Sequence, residues 1–155
     1  MRRRAVAGGV AAAAAAALGV ALWLALPGGG GPSRAEYLTR VSAACRAYAR
    51  RLEHVPAPSE PVAYGNVASS VRQAVPLLEA QAGAMRAIPA PAALEPRLQR
   101  LFALDRRSVA ALRLALAAAL RRDAGGVALG LVRFAAVRDR VHRASLALGI
   151  RCEAN

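Results

Sequence analysis

Few side chains in this chain of 155 residues are equipped for chemistry: two histidines, two cysteines and nine carboxylates, set among 22 basic residues that are all arginine. Asp139 and His142 stand three apart in a stretch with helical periodicity, so they share one face. Di-iron bundles present a carboxylate and a histidine in that way, but such a centre needs the pair twice and two further carboxylates. The sequence offers no second copy, and no metal site is assigned. A haem held between His142 and Met85 has only residue identity behind it, so no cofactor is expected. His54, beside Glu53, closes a helical stretch, where an imidazole complements the helix dipole whether or not it does chemistry. Ser69, Ser70, Ser108 and Ser145 all fall within helical stretches and none on the sharp strand-to-helix turn of a nucleophile elbow. The glycine run 28–31 and the pair Gly125, Gly126 lack the following Lys and Ser or Thr of a phosphate loop. No catalytic residue is singled out, and the chain does not read as an enzyme.

The elements that carry these residues begin with residues 5–26, which contain no charge and no proline. As a helix at ~1.5 Å per residue this run is ~33 Å long, enough to cross the hydrocarbon core of a bilayer. Arg2, Arg3 and Arg4 precede it, Trp23 lies near its far end where an indole suits the interface, and Pro27 with the glycine run stops it. A cleaved signal peptide has a shorter apolar core of about 7 to 15 residues, so an uncleaved signal anchor is the better reading, and secretion is the alternative. Arg34, Arg40 and Arg46 follow the run just as three arginines precede it. The contiguous first cluster carries the α-amino charge as well, which places the body of the chain outside the cytoplasm. The expected organisation is a basic N-terminus and transmembrane anchor over 1–27, a Gly-rich linker over 28–33, and an extracytoplasmic helical domain over 34–155.

That setting bears on the cysteines. In an exported domain, Cys45 and Cys152 near opposite ends of the folded chain suggest one disulfide, closing a loop that stabilises by ~4 to 5 kcal/mol in the chain-entropy model.

Four amphipathic stretches follow the linker. Ser33 with Glu36 three residues on is a capping box, and the first helix is expected over 34–54 with Tyr37, Val41, Cys45, Tyr48 and Leu52 on one stripe. The proline-rich segment 55–61 connects it to a second helix over 62–87, whose stripe is Tyr64, Val67, Val71, Val75, Leu78, Ala82 and Met85, with Pro76 inside the pattern. The third spans 94–122, with Pro96 in its first turn and an inner face from Leu94 and Leu98 to Leu116 and Leu120. Asp105 interrupts that face, either at its boundary or paired with an arginine across the bundle. The segment 123–126 (DAGG) reads as stop and turn, and the last helix covers 127–148 with Leu131, Phe134, Val137, Val141 and Leu148 inward and Gly149 ending it. Short links make neighbours antiparallel, so the expected fold is all-α: the transmembrane helix, then an up-and-down four-helix bundle. In that topology Cys152 meets Cys45 if the tail folds back along the first helix.

The stretch 37–46 (YLTRVSAACR), the proline-marked turns and the closing 148–152 (LGIRC) resemble a loose group of small, exported, Ala- and Arg-rich helical proteins of high-GC actinobacteria, mostly uncharacterised. The resemblance covers 34–155 and implies a single helical domain with paired cysteines. It brings no catalytic residue with it.

Taking Arg2, Arg3 and Arg4 from the 22 leaves 19 arginines against 9 acids, a formal +10 for the domain. Such a charge attracts acidic envelope polymers or anionic headgroups. The arginines are spread over every helix without interleaved aromatics, so no nucleic-acid module is indicated. The expected role is non-catalytic binding or envelope structure, with the membrane engaged through residues 5–26 and a protein or acidic envelope polymer as partner. A small-ligand or metal-binding sensor, with a bundle cavity lined by His142, Asp139 or Met85, and a polyanion or lipid-surface module are the alternatives.

Overall fold

A computed structural model describes residues 31–57 and 63–153. The apolar run 5–26 on which the anchor reading falls lies outside the described residues, as does most of the proline-rich link after the first helix. Among the described residues no helix is long and apolar enough to cross a membrane.

The described chain is all helical. Helix α1 (Arg34–Glu53) opens on the full capping box: the Glu36 amide donates to Ser33 Oγ (3.2 Å) and the Ser33 amide to Glu36 Oε2 (2.9 Å). These bonds favour the charged form and hold the Glu36 carboxyl below its ordinary pKa. At the other end His54 is the C-cap: its amide donates to the Arg51 carbonyl, the Val55 amide to the Leu52 carbonyl, and its Nδ1 lies 2.8 Å from Arg50 O. Helix α2 (Tyr64–Arg86) runs through Pro76. A 3-10 turn (Ala92–Leu94) leads into α3 (Glu95–Leu120), with Pro96 in the first turn where its missing N–H has no intrahelical partner to lose. Helix α4 (Ala124–Leu148) ends on Gly149, which takes the left-handed conformation (φ 89°).

The turn between α3 and α4 departs from expectation. The stop lies ahead of the DAGG segment: α3 ends at Leu120, Arg122 turns the chain with a left-handed φ of 56°, and Asp123 is the N-cap of α4, accepting from the Gly126 amide (2.9 Å). Gly125 and Gly126 therefore belong to the first turn of α4, and Gly126, with Gly130 one turn on, serves packing. A Cβ on Gly126 would meet Ala118 Cβ at 2.8 Å, and one on Gly130 would meet the Ala115 backbone nitrogen at 2.7 Å. Small residues on both helices let their backbones approach closely.

Neighbouring helices run antiparallel, as matched pairs show. Cys45 of α1 lies beside Gln81 of α2, Glu79 of α2 beside Arg113 of α3, and Asp105 and Ala115 of α3 beside Arg138 and Gly130 of α4. Helix α3 is central, packing on both α2 and α4, while α1 packs on α2. Two apolar clusters fill the interior. One gathers Tyr37, Val41, Met85, Leu98, Leu101 and Leu148 at the end where α1 begins, and the other gathers Val67, Val71, Leu78, Leu112 and Val127 at the opposite end. Most of the stripes read from periodicity face inward. Tyr48 and Leu52 are only half-buried, Leu52 packing on the edge of the second cluster, and Leu120 is exposed at the end of α3.

The crossing of α3 and α4 can be probed with two glycines. Gly130→Ala is expected to lower stability by about 1 to 3 kcal/mol, since the new methyl meets backbone that cannot swing aside. Gly83→Ala, where a Cβ meets nothing within 4 Å, should raise it by about 0.5 to 1 kcal/mol through helix propensity. Urea unfolding of the two variants side by side checks the opposite signs.

Candidate functional site

Past Gly149 the tail reverses and runs along α1. Arg34 Nη2 lies 3.5 Å from the Leu148 carbonyl, Leu38 covers Gly149, and the Arg151 amide donates to Ser42 Oγ at 3.1 Å. Cys152 is bonded to Cys45, with Cα atoms 4.9 Å apart across a sequence separation of 107. Ile150, only 1% exposed, is driven into the lower apolar cluster between these attachments. The two cysteines singled out in the sequence are thus brought together, by the fold-back that an up-and-down topology requires.

Above the disulfide a polar layer separates the two apolar clusters. Buried Gln81 donates from Nε2 to the Cys45 carbonyl (3.2 Å) and lies 3.1 Å from Cys45 Sγ. Asp105 reaches across to Arg138 of α4 (3.6 Å), its side chain only 15% exposed, whereas its sequence neighbours Arg106 and Arg107 point to solvent. Burial raises the Asp105 carboxyl above its ordinary value, and the guanidinium groups of Arg138 and Arg86 oppose that rise without cancelling it. The Tyr37 hydroxyl is likewise raised by burial, with Glu95 adding to the effect. Among the described residues no buried side-chain nitrogen or oxygen lacks a partner.

Between α1 and α4 this layer opens into a cleft of about 210 Å³, lined by the disulfide, Gln81, Met85, Asp105, Arg138 and His142. Ligand pockets commonly start near ~300 Å³, so the cleft admits only a small molecule and has no room for a haem. Asp139 does not face it. Its carboxylate pairs with Arg143 one turn on, so the Asp139 and His142 pair read from spacing shares a face but no site. Among the described residues no three His, Cys, Asp or Glu side chains gather where they could hold a metal ion.

Larger concavities lie outside the core, two of them along the long flanks of α3. A groove of about 710 Å³ runs between α2 and α3, bridged by the ion pair of Arg113 and Glu79 (2.5 Å) and flanked by Arg86, whose guanidinium stacks 5.2 Å from the Phe102 ring centroid. A second, of about 360 Å³, lies along the outer seam of α3 and α4. Its floor is Ala110, Ala111, Leu114, Ala136 and Val137, and its rim is Arg107, Arg133 and Arg140. Periodicity reading missed Gln81 and Ser42, although both were detectable as polar residues at inward positions, Gln81 among Leu78, Ala82 and Met85, and Ser42 beside Val41 and Cys45.

Two outcomes follow from this geometry. Replacing both cysteines with serine should cost about 4 to 5 kcal/mol, the loop-closure entropy of a span of 107 residues. Reductant should shift the denaturation midpoint of the parent chain by a similar amount and leave the double variant where it was. For Asp105, the native carboxyl keeps a proton that the unfolded chain has already released above pH 3.8. Stability therefore falls as pH rises from 3.8 through the raised native value, and Asp105→Asn removes that part of the slope. Urea midpoints taken across that window for both proteins check the sign, and an unchanged slope in the variant refutes it.

Compared with protein families, with curated proteins and with solved structures, the chain matches none.

Proposed function

We propose that this chain is a membrane-tethered, extracytoplasmic helical bundle that acts by binding, without catalysis. The observation that carries the reading is the bonded pair of Cys45 and Cys152, which ties the first helix of the domain to its last residues. Disulfides of this structural kind persist in oxidising compartments and are rare in the cytosol, which supports export of everything after the apolar run 5–26. The domain offers a partner a strongly basic surface and shallow grooves of apolar floor and arginine rim, which suits an acidic envelope component or a protein with an acidic face.

A second reading, a sensor for a small ligand, draws on the cleft beside the disulfide. Met85 and His142 both line it, as that reading requires, and its volume of about 210 Å³ limits the ligand to a few heavy atoms.

Two measurements on cells test the tethered reading together. A C-terminal reporter that is active only outside the cytoplasm should be active, and the intact chain should stay in the membrane pellet after a carbonate wash. A cytoplasmic reporter refutes export. Recovery of a shortened soluble form replaces the anchor with a cleaved signal.

A further inference from the structure

We propose that the hairpin of α3 and α4 is a docking face for the surface of an anionic phospholipid bilayer. The proposal rests on the tethered reading above only in that the tether keeps such a bilayer within reach. Three observations on the hairpin converge.

Exposed large apolar side chains concentrate there. Leu114 (53% exposed) and Leu120 (58%) lie in the second half of α3, and Leu129 (51%) and Val132 (67%) in the first half of α4. Leu146 is the one other large apolar residue so exposed among those described. These halves pair across the turn: Leu114 lines the groove of the outer seam, and Leu120, Leu129 and Val132 lie between that groove and the tip of the hairpin along the chain.

The charge along the groove of the outer seam is uncompensated among the described residues. No carboxylate lines the groove of the outer seam, and its rim arginines Arg107, Arg133 and Arg140 make no ion pair among the described residues. Nearby outward arginines behave differently: Arg113 is held by Glu79 and Arg143 by Asp139. At the turn, exposed Arg121 and Arg122 make no ion pair among the described residues, and with Asp123 beside them they carry the net positive charge to the tip of the hairpin.

Third, the groove has the dimensions and lining of an amphiphile's site. Alanine and leucine floor a trough of about 360 Å³, and guanidinium forks stand along both sides of it. Guanidinium groups bind phosphate oxygens in pairs. Leucine and valine side chains beside them gain by entering the boundary between headgroups and acyl chains, and an anionic leaflet attracts each arginine near its surface.

Charge complementarity decides among occupants. A second copy of this chain would bring like charge against like. A soluble polyanion would satisfy the arginines and leave four large apolar side chains in water, whereas an anionic bilayer satisfies both.

The test uses the full chain in vesicles, with Trp23→Phe removing the native indole and a single new tryptophan as reporter. Val132→Trp places it on the hairpin, and Ala43→Trp on the exposed side of α1 as control. With brominated phosphatidylglycerol in the vesicles, the hairpin indole should be quenched severalfold more than the α1 indole. The difference should shrink as salt rises and vanish in brominated phosphatidylcholine. Reversing Arg107, Arg133 and Arg140 to Glu should abolish it while circular dichroism stays that of the parent. Equal quenching at both positions, or quenching indifferent to lipid charge, overturns the proposal. So does protection of the hairpin from hydrogen exchange by soluble polyphosphate but not by anionic vesicles. Resistance to carbonate in neutral vesicles reports on the N-terminal run alone, so the tether can fail while the docking face stands, and the reverse.

Discussion

The fold depends on how its last residues return along its first helix. Helix α1 packs on α2 and shares no broad face with α4, so a chain of helices in contact order would leave the bundle open on its fourth side. The tail closes that side at successive heights: Arg34 by the Leu148 carbonyl, Leu38 over Gly149, Ser42 under the Arg151 amide, and Cys45 bonded to Cys152. A helix of 20 residues has little stability of its own in water, and α1 buries only Tyr37, Val41, Ser42 and Cys45. The disulfide therefore adds a covalent tie between the least secured helix and the chain beyond α4, beside the apolar contacts that Tyr37 and Val41 share with Leu98, Leu101 and Leu148. Gly149 makes this possible, because its φ of 89° sends the chain back at an angle a side chain would resist.

That closure also explains where polarity is tolerated inside. Between the two apolar clusters, Gln81 bonds the Cys45 carbonyl, Asp105 pairs with Arg138, and Ser108 donates to the Asp105 carbonyl at 2.8 Å. Each of these contacts except the last joins two helices, and each works at one relative height only. Apolar stripes of Ala, Val and Leu can slide by a turn at modest cost, since one small side chain replaces another. A polar layer that must stay satisfied penalises the slide, because a displaced Gln81 or Asp105 would be buried without a partner. We regard the layer as setting the vertical register of a bundle whose apolar seams are too uniform to set it alone.

The periodic stripes, the Ser33 and Glu36 capping box, Pro96 in a first turn, Gly149 as terminator and the pairing of the cysteines were all legible, because each is a local rule or follows from one topology. What escaped depends on three-dimensional neighbours. The turn after α3 lies ahead of the DAGG segment because a glycine pair has two uses, and which applies at Gly126 depends on Ala118 sitting opposite, a residue eight positions away on another helix. Leu120 was assigned to the core on periodicity, yet the inner face is taken over there by Ala118 and Ala119, whose small size lets α4 come close and leaves the leucine outside. The partner of Asp105 stayed open between boundary and ion pair, since 19 arginines follow the linker and only the packing selects Arg138. The cleft and the outer grooves have no sequence signature at all, being spaces between elements.

The same small residues connect packing to surface chemistry. Where Gly126 and Gly130 meet Ala115 and Ala118, the backbones of α3 and α4 lie too close for large side chains to fit in the seam. Apolar bulk that would be buried in a wider bundle is displaced outward, as Leu114, Leu120, Leu129 and Val132. A chain with lysine in place of arginine would shield such a surface with flexible, strongly hydrated ammonium groups. Arginine is more weakly hydrated and lies flat along apolar ground, so a rim of Arg107, Arg133 and Arg140 keeps the floor accessible while carrying the charge. Close helix approach and an arginine-only complement of cations, each with an ordinary origin in composition, together leave the hairpin with exposed apolar side chains and, among the described residues, rim arginines outside any ion pair. Water hydrates the arginines of such a surface but leaves its leucine and valine side chains exposed, so cover that meets both the charge and the apolar bulk gains more than cover that meets either alone.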